Sequence, residues 1–193
     1  MKKREFRCYF EGEQEKKYFD HLVKKVREID PSISLKFKKV NKLKVLDESS
    51  TDVPKIAVFD YDSNKEEFEK RVKMCKKTRI LYSNLNFDLW LLLHKKQFKK
   101  SMIDNDAYVD EIRKEYGLGS TANIKAEHNI DKILSQIEIS DIKNAIKNAK
   151  EIMNEKLETD RIYVKRNFSY YPNPSMSIQE FLEELFIDLD INE

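Results

Sequence analysis

The chain has 193 residues, of which 37% are charged and 11% aromatic, with a formal net charge of +2 and a mean hydropathy of −0.72. That length can bury a substantial core, and the aromatic content with clear hydrophobic periodicity excludes a disordered chain. A balance so close to neutral excludes reading nucleic-acid binding from total charge, so any such contact has to come from local clustering.

Lys2, Lys3 and Arg4 are not followed by an apolar stretch of signal length, and the longest apolar run, Leu89 to Leu93, is far too short to span a bilayer. Cys8 and Cys75 stand in apolar patterns without metal-ligand spacing, as expected of buried thiols in a reducing cytoplasm. The expectation is a soluble cytoplasmic protein with no membrane contact.

In chain order, Phe6, Cys8 and Phe10 alternate with Arg7 and Tyr9 and predict a first strand. Tyr18, Leu22, Val26 and Ile29 form a helical stripe that ends before Pro31. Leu35 and Phe37 alternate with Lys36 and Lys38, a strand with one wet face, followed by a polar loop through Ser49, Ser50 and Pro54. The run Ile56-Ala57-Val58-Phe59 predicts a central strand buried on both faces. Phe68, Val72 and Cys75 mark the next helix, and Ile80-Leu81-Tyr82 a further strand. Such alternation predicts an α/β core with a mainly parallel sheet over residues 1–96.

From Asn84 onward the pattern becomes helical. Phe87 and Trp90 to Leu93 are apolar nearly all round, which predicts a short buried helix. Ile142, Ala145, Ile146, Ala149, Ile152 and Met153 predict a strong amphipathic helix, and Ile178, Phe181, Leu182, Leu185 and Phe186 another. Ser177 and Glu180 read as a capping box for the last, after the turn Pro172-Asn173-Pro174. Residues 97–193 are thus expected to form a helical subdomain packed on the core.

Two acidic strand ends carry the chemistry: Phe10-Glu11-Gly12-Glu13-Gln14-Glu15 and Val58-Phe59-Asp60-Tyr61-Asp62. Strands crossed by helices are parallel, and ligands bind outside their carboxyl ends. Asp60 and Asp62, two residues apart, project to one side of an extended chain. If the strand ending at Glu11 neighbours the one ending at Asp60, the backbones lie roughly 5 Å apart and the three carboxylates can share hard divalent cations, Mg²⁺ or Mn²⁺. Glu15 is placed to face back toward the same crevice as a fourth ligand. The competing structural reading is that the second motif caps a helix, with Ser63 and Glu66 as a capping box.

These motifs, together with Tyr18-Phe19, the block Ser83-Asn84-Leu85-Asn86-Phe87-Asp88-Leu89-Trp90-Leu91-Leu92-Leu93-His94 and Asn173-Pro174-Ser175, resemble the RloB-like, or AbiLii-type, abortive-infection family. The resemblance implies a Toprim-like fold, shared by topoisomerases, bacterial primases and overcoming-lysogenization-defect nucleases. It further implies a phage-defence component usually encoded beside an ATPase, with acids that bind Mg²⁺ for phosphodiester chemistry on DNA or RNA. Residue by residue, Glu11 matches the Toprim glutamate, and Asp60 and Asp62 its aspartate pair. Asp88 stands where the family commonly has glutamate, a shorter acid of the same charge that implies a metal-ligating or structural role, and Lys125 corresponds to a lysine after the central helices that would neutralise the phosphate. The segment Glu13-Gln14-Glu15 lacks the family's threonine and is one residue shorter, and Leu85 replaces a proline.

Other residues admit two readings. His94 either interacts with terminal helix carbonyls or acts in catalysis. Ser83 and Asn84 either cap the helix carrying Trp90 or orient phosphate or water. The lysines at 36–44 and 95–100, and Lys165-Arg166, are solvated faces or, for Lys95 to Lys100, a phosphate-backbone or docking contact. The only glycines, Gly12, Gly117 and Gly119, form no phosphate loop, so the chain is not expected to hydrolyse ATP. The expected function is therefore a metal-dependent nuclease controlled by a partner ATPase, the alternative a non-catalytic regulatory or nucleic-acid-sensing subunit. A primase-like or topoisomerase-like fragment fits less, because no nucleophilic-tyrosine or template-handling module is recognisable.

Overall fold

The structure, a computed structural model, describes residues 2–61, 64–100, 108–157, 161, the backbone of 163–165, and 168–191. Four strands, β1 (Lys3–Phe10), β2 (Ser34–Lys39), β3 (Lys55–Tyr61) and β4 (Arg79–Asn84), form one sheet in the order β2-β1-β3-β4, with all three pairings parallel. Helices α1 (Glu13–Ile29), α2 (Leu43–Glu48) and α3 (Lys65–Met74) connect them. Then follow α4 (Asp88–Leu93), α5 (Val109–Glu115), α6 (Glu127–Leu134), α7 (Ile139–Asn154), a hairpin β5 (Tyr163–Lys165) and β6 (Phe168–Tyr170), and α8 (Ile178–Leu189). This is the α/β architecture expected, an all-parallel sheet flanked by helices and consistent with a Toprim-like fold.

Strand β3 is central because it is apolar on both faces. Ile56 and Val58 face one layer with Phe6, Cys8 and Phe10, while Ala57 and Phe59 face the other. The first layer is covered by α1, α4, α7 and α8 in one continuous apolar cluster that runs from Phe6 through Trp90 to Ile191. The second is a smaller cluster built on Leu43 and Leu46 of α2, Phe68 and Val72 of α3, and Tyr170 of β6. Residue 60 thus returns to the α1 side of the sheet, because it continues the series Ile56, Val58.

Each sheet edge is protected differently. On β2, Lys36, Lys38 and Lys39 put charge along the exposed strand, Lys38 pairing with Glu5 and Lys39 with Glu13. On β4 the segment 175–177 lies against the edge: Asn84 N–H donates to the Ser175 carbonyl at 2.8 Å and Ser177 N–H to the Tyr82 carbonyl at 3.0 Å.

Several expectations need correction. The predicted capping box at Ser177 does not form: its Oγ accepts from Tyr82 N–H at 3.1 Å and donates to the Ile80 carbonyl, serving the sheet edge instead of the helix end. Ile29, read as part of the α1 stripe, is the last residue of the helix and is 53% exposed. The loop before β3 contains α2, and the helical second half contains the β5–β6 hairpin. Ser63, of the alternative capping box, lies outside the described residues; Asn64 is the N-cap of α3, accepting from Glu67 N–H at 3.1 Å. Cys8 is buried, which pushes its thiol well above the usual range, and Cys75 is half-buried; neither forms a disulfide. Among the described residues, no helix is long and apolar enough to cross a membrane.

Candidate functional site

The carboxyl ends of β1, β3 and β4 open on a crevice of about 300 Å³ lined by Glu11, Gly12, Glu15, Asp60, Asn86 and Lys125, among others. Four of the six residues singled out from the sequence therefore meet here. Backbone pairing does the positioning. Strand β1 pairs with β3 along Tyr9↔Ala57 and Phe10↔Val58, and the ladder continues one residue further, where Glu11 N–H donates to the Val58 carbonyl at 3.1 Å.

The Glu11 carboxylate is bound at both oxygens. Asp60 N–H donates to Oε2 at 3.0 Å, and Arg71 Nη1 on α3 donates to Oε1 at 2.6 Å. Arg71 also pairs with Glu67 one turn earlier on α3 and lies over the Phe59 ring. No sequence signal marks Arg71 among the 37 basic residues, because its contact joins positions 60 apart in the chain.

Glu15 occupies a position of the buried stripe of α1, one turn before Tyr18 and Phe19. Its side chain is turned under the crevice and its Oε2 is buried with no hydrogen-bond partner. Gly12 makes this possible: a Cβ there would come within 2.5 Å of that oxygen. The glycine is needed for space and not for its backbone angles, since φ is −119°. Burial, with Glu11 and Asp88 nearby and Lys125 opposing, pushes the Glu15 carboxyl up to about 7. Asp60 is likewise raised well above the usual carboxylate range, first by desolvation, then by Glu15, Glu11 and Asp88. Crowded like charges contribute, but burial is the larger cause in both.

Lys125, in the turn before α6, faces these acids from across the crevice and stabilises their ionised forms. Asp88 opens α4 fully buried, its N–H donating to Asn86 Oδ1 at 3.0 Å, and acts on Glu15 and Asp60 from behind the crevice wall. Asp62 lies outside the described residues. Leu85 lines the rim at φ +66°, a strained left-handed conformation for a residue with a side chain, pinned by its N–H to the Tyr61 carbonyl at 2.8 Å.

The remaining candidates have structural duties. Ser83 and Asn84 are buried: Ser83 Oγ donates to the Asn86 carbonyl, and Asn84 Nδ2 to the Tyr171 carbonyl at 2.9 Å, so neither caps α4 nor reaches the crevice. His94 is buried between the Trp90 carbonyl and the Tyr18 hydroxyl, and burial lowers it to about 3. A neutral imidazole makes no charge–dipole contribution at the helix end. The basic segment after it is occupied internally, Lys96 with Glu111 and Glu115, Lys99 with Glu155, and Lys95 with the Gln136 carbonyl and the Tyr116 ring.

The donors suit a hard divalent cation. Glu11, Glu15 and Asp60 offer only carboxylate oxygen, one oxygen of Glu15 is buried without a partner, and two of the acids resist ionisation as the site stands. Among the described residues, however, no three such side chains already stand in metal-binding arrangement. A cation would have to draw the carboxylates together.

A family model described as RloB-like protein matches residues 8–185, so the chain belongs to the RloB-like family. No curated protein and no solved structure matches it.

Proposed function

We propose that this member of the RloB-like family is a metal-dependent nuclease acting in defence against phage, with Glu11, Glu15, Asp60 and Asp62 holding Mg²⁺ or Mn²⁺ and the buried Asp88 adding to the negative charge that draws the cation in. The observation that carries the reading is the buried, partnerless oxygen of Glu15 beside Asp60, two costly carboxylates gathered at parallel strand ends where ligands bind. When bound, the cation supplies charge neutralisation at the phosphate and a more acidic water. The chain supplies the rest. Lys125 offers an ammonium to the phosphodiester, the Asp60 amide and Arg71 orient Glu11, and Leu85 and Ile130 line the crevice with apolar surface.

One observation favours a second reading, a non-catalytic subunit of an ATPase defence complex: both Glu11 oxygens are already engaged within the chain. Under the nuclease reading, activity is latent in the isolated protein and released by the ATPase encoded nearby. The test compares cleavage of plasmid DNA and total RNA by the chain alone and with that ATPase and ATP. Cleavage only in the second mixture is expected. Full cleavage by the chain alone would overturn latency, and none in either mixture would favour the non-catalytic reading.

A further inference from the structure

Arg71 is the one guanidinium bound to a crevice carboxylate among the described residues, and it reaches Glu11 from α3 without itself lining the crevice. Its side chain is 27% exposed and that of Glu11 30%, so the pair is only partly screened by water. Three contacts fix it: Glu11 Oε1 at 2.6 Å, Glu67 Oε1 at 3.5 Å and the Phe59 ring with its centroid 6.0 Å away. A lysine could supply the charge but neither the fork nor the stacking.

We infer that Arg71 is a positioning residue of the site, an internal counter-ion that braces Glu11 and holds down the affinity of the crevice for a divalent cation. Two effects follow from one contact. The guanidinium occupies a lone pair of Glu11 and places a positive charge beside the position a cation would take, which opposes binding. It also holds the carboxylate in one orientation, and the Asp60 amide alone holds the other oxygen less firmly. Losing Arg71 therefore raises cation affinity and lowers turnover. General damage to the fold would instead lower both.

The inference rests on the proposed cation site and is tested by titrating Mn²⁺ calorimetrically into wild type, Arg71→Met and Arg71→Lys, with thermal melts of each. Arg71→Gln replaces the methionine variant if that one does not fold. Arg71→Met is expected to bind Mn²⁺ roughly three- to tenfold tighter, while Arg71→Lys, which keeps the charge, binds within about twofold of wild type. In any reaction the partner ATPase releases, Arg71→Met is slower and Arg71→Lys recovers part of the rate. Unchanged or weaker Mn²⁺ affinity in the folded neutral variant overturns the counter-ion role. Absence of Mn²⁺ binding in wild type and every variant removes the cation site itself, and the inference with it.

Discussion

Asp60→Asn is expected to lower phosphodiester cleavage by about 10³-fold or more while making the protein more resistant to heat. The residue is next to last in the central strand with its side chain on the crevice side, and its carboxyl is raised because desolvation and three neighbouring acids oppose its charge. An amide of the same shape removes a hard anionic ligand that a divalent cation needs. It also removes a charge that the apo fold tolerates poorly, so the melting temperature rises by about 2–4 °C for each kcal/mol recovered. Because the Asp60 contact to Glu11 is made by the backbone N–H, it survives the substitution. Single-turnover cleavage by the activated complex and a calorimetric melt check the two halves. A variant with full activity would remove Asp60 from the chemistry, and one that melts lower would show that its charge is satisfied in the fold.

The second large effect is a dependence of stability on pH that belongs to Glu15. Its carboxyl moves from an ordinary 4.5 when unfolded to about 7 when folded. Below pH 4.5 it is protonated in both states and its contribution is fully present. As pH rises through 7 the unfolded chain ionises first, and the contribution, on the order of 3 kcal/mol, is lost. Asp60, also raised, works in the same direction. Chemical denaturation between pH 4.5 and 8.5 is expected to show wild type losing stability relative to Glu15→Gln, and saturating Mg²⁺ is expected to restore most of the loss at pH 8. A constant difference between the two proteins across that range would mean that Glu15 is not held protonated.

How much of this was legible depends on how far apart in the chain each interaction lies. The strand ends at Glu11 and Asp60 and the parallel neighbourhood that joins them follow from alternation and crossover alone. So does the placement of Glu15, whose spacing to Tyr18, Phe19 and Leu22 sets a carboxylate in a helical stripe otherwise apolar from residue 18 onward. What period and propensity do not encode are partners chosen by tertiary packing. Arg71 reaches Glu11 across 60 positions, and Ser177 gives its hydroxyl to a strand more than 90 positions earlier instead of to its own helix. The hairpin strands are three residues each, too short for a period to show, and α2 is six residues embedded among lysines and serines. Lys95, Lys96 and Lys99 look alike as a basic run, yet their acidic and carbonyl partners lie on segments distant in sequence. Asp62, the last of the predicted strand-end acids, lies outside the described residues.

The claim that the crevice is built for a hard cation is tested most directly by calorimetric titration of Mg²⁺ and Mn²⁺ into the folded chain and into Asp60→Asn at pH 8. Saturable binding to the wild type that is lost, or weakened at least about tenfold, in the variant is the expected result. Equal binding by both proteins, or none by the wild type, would contradict it.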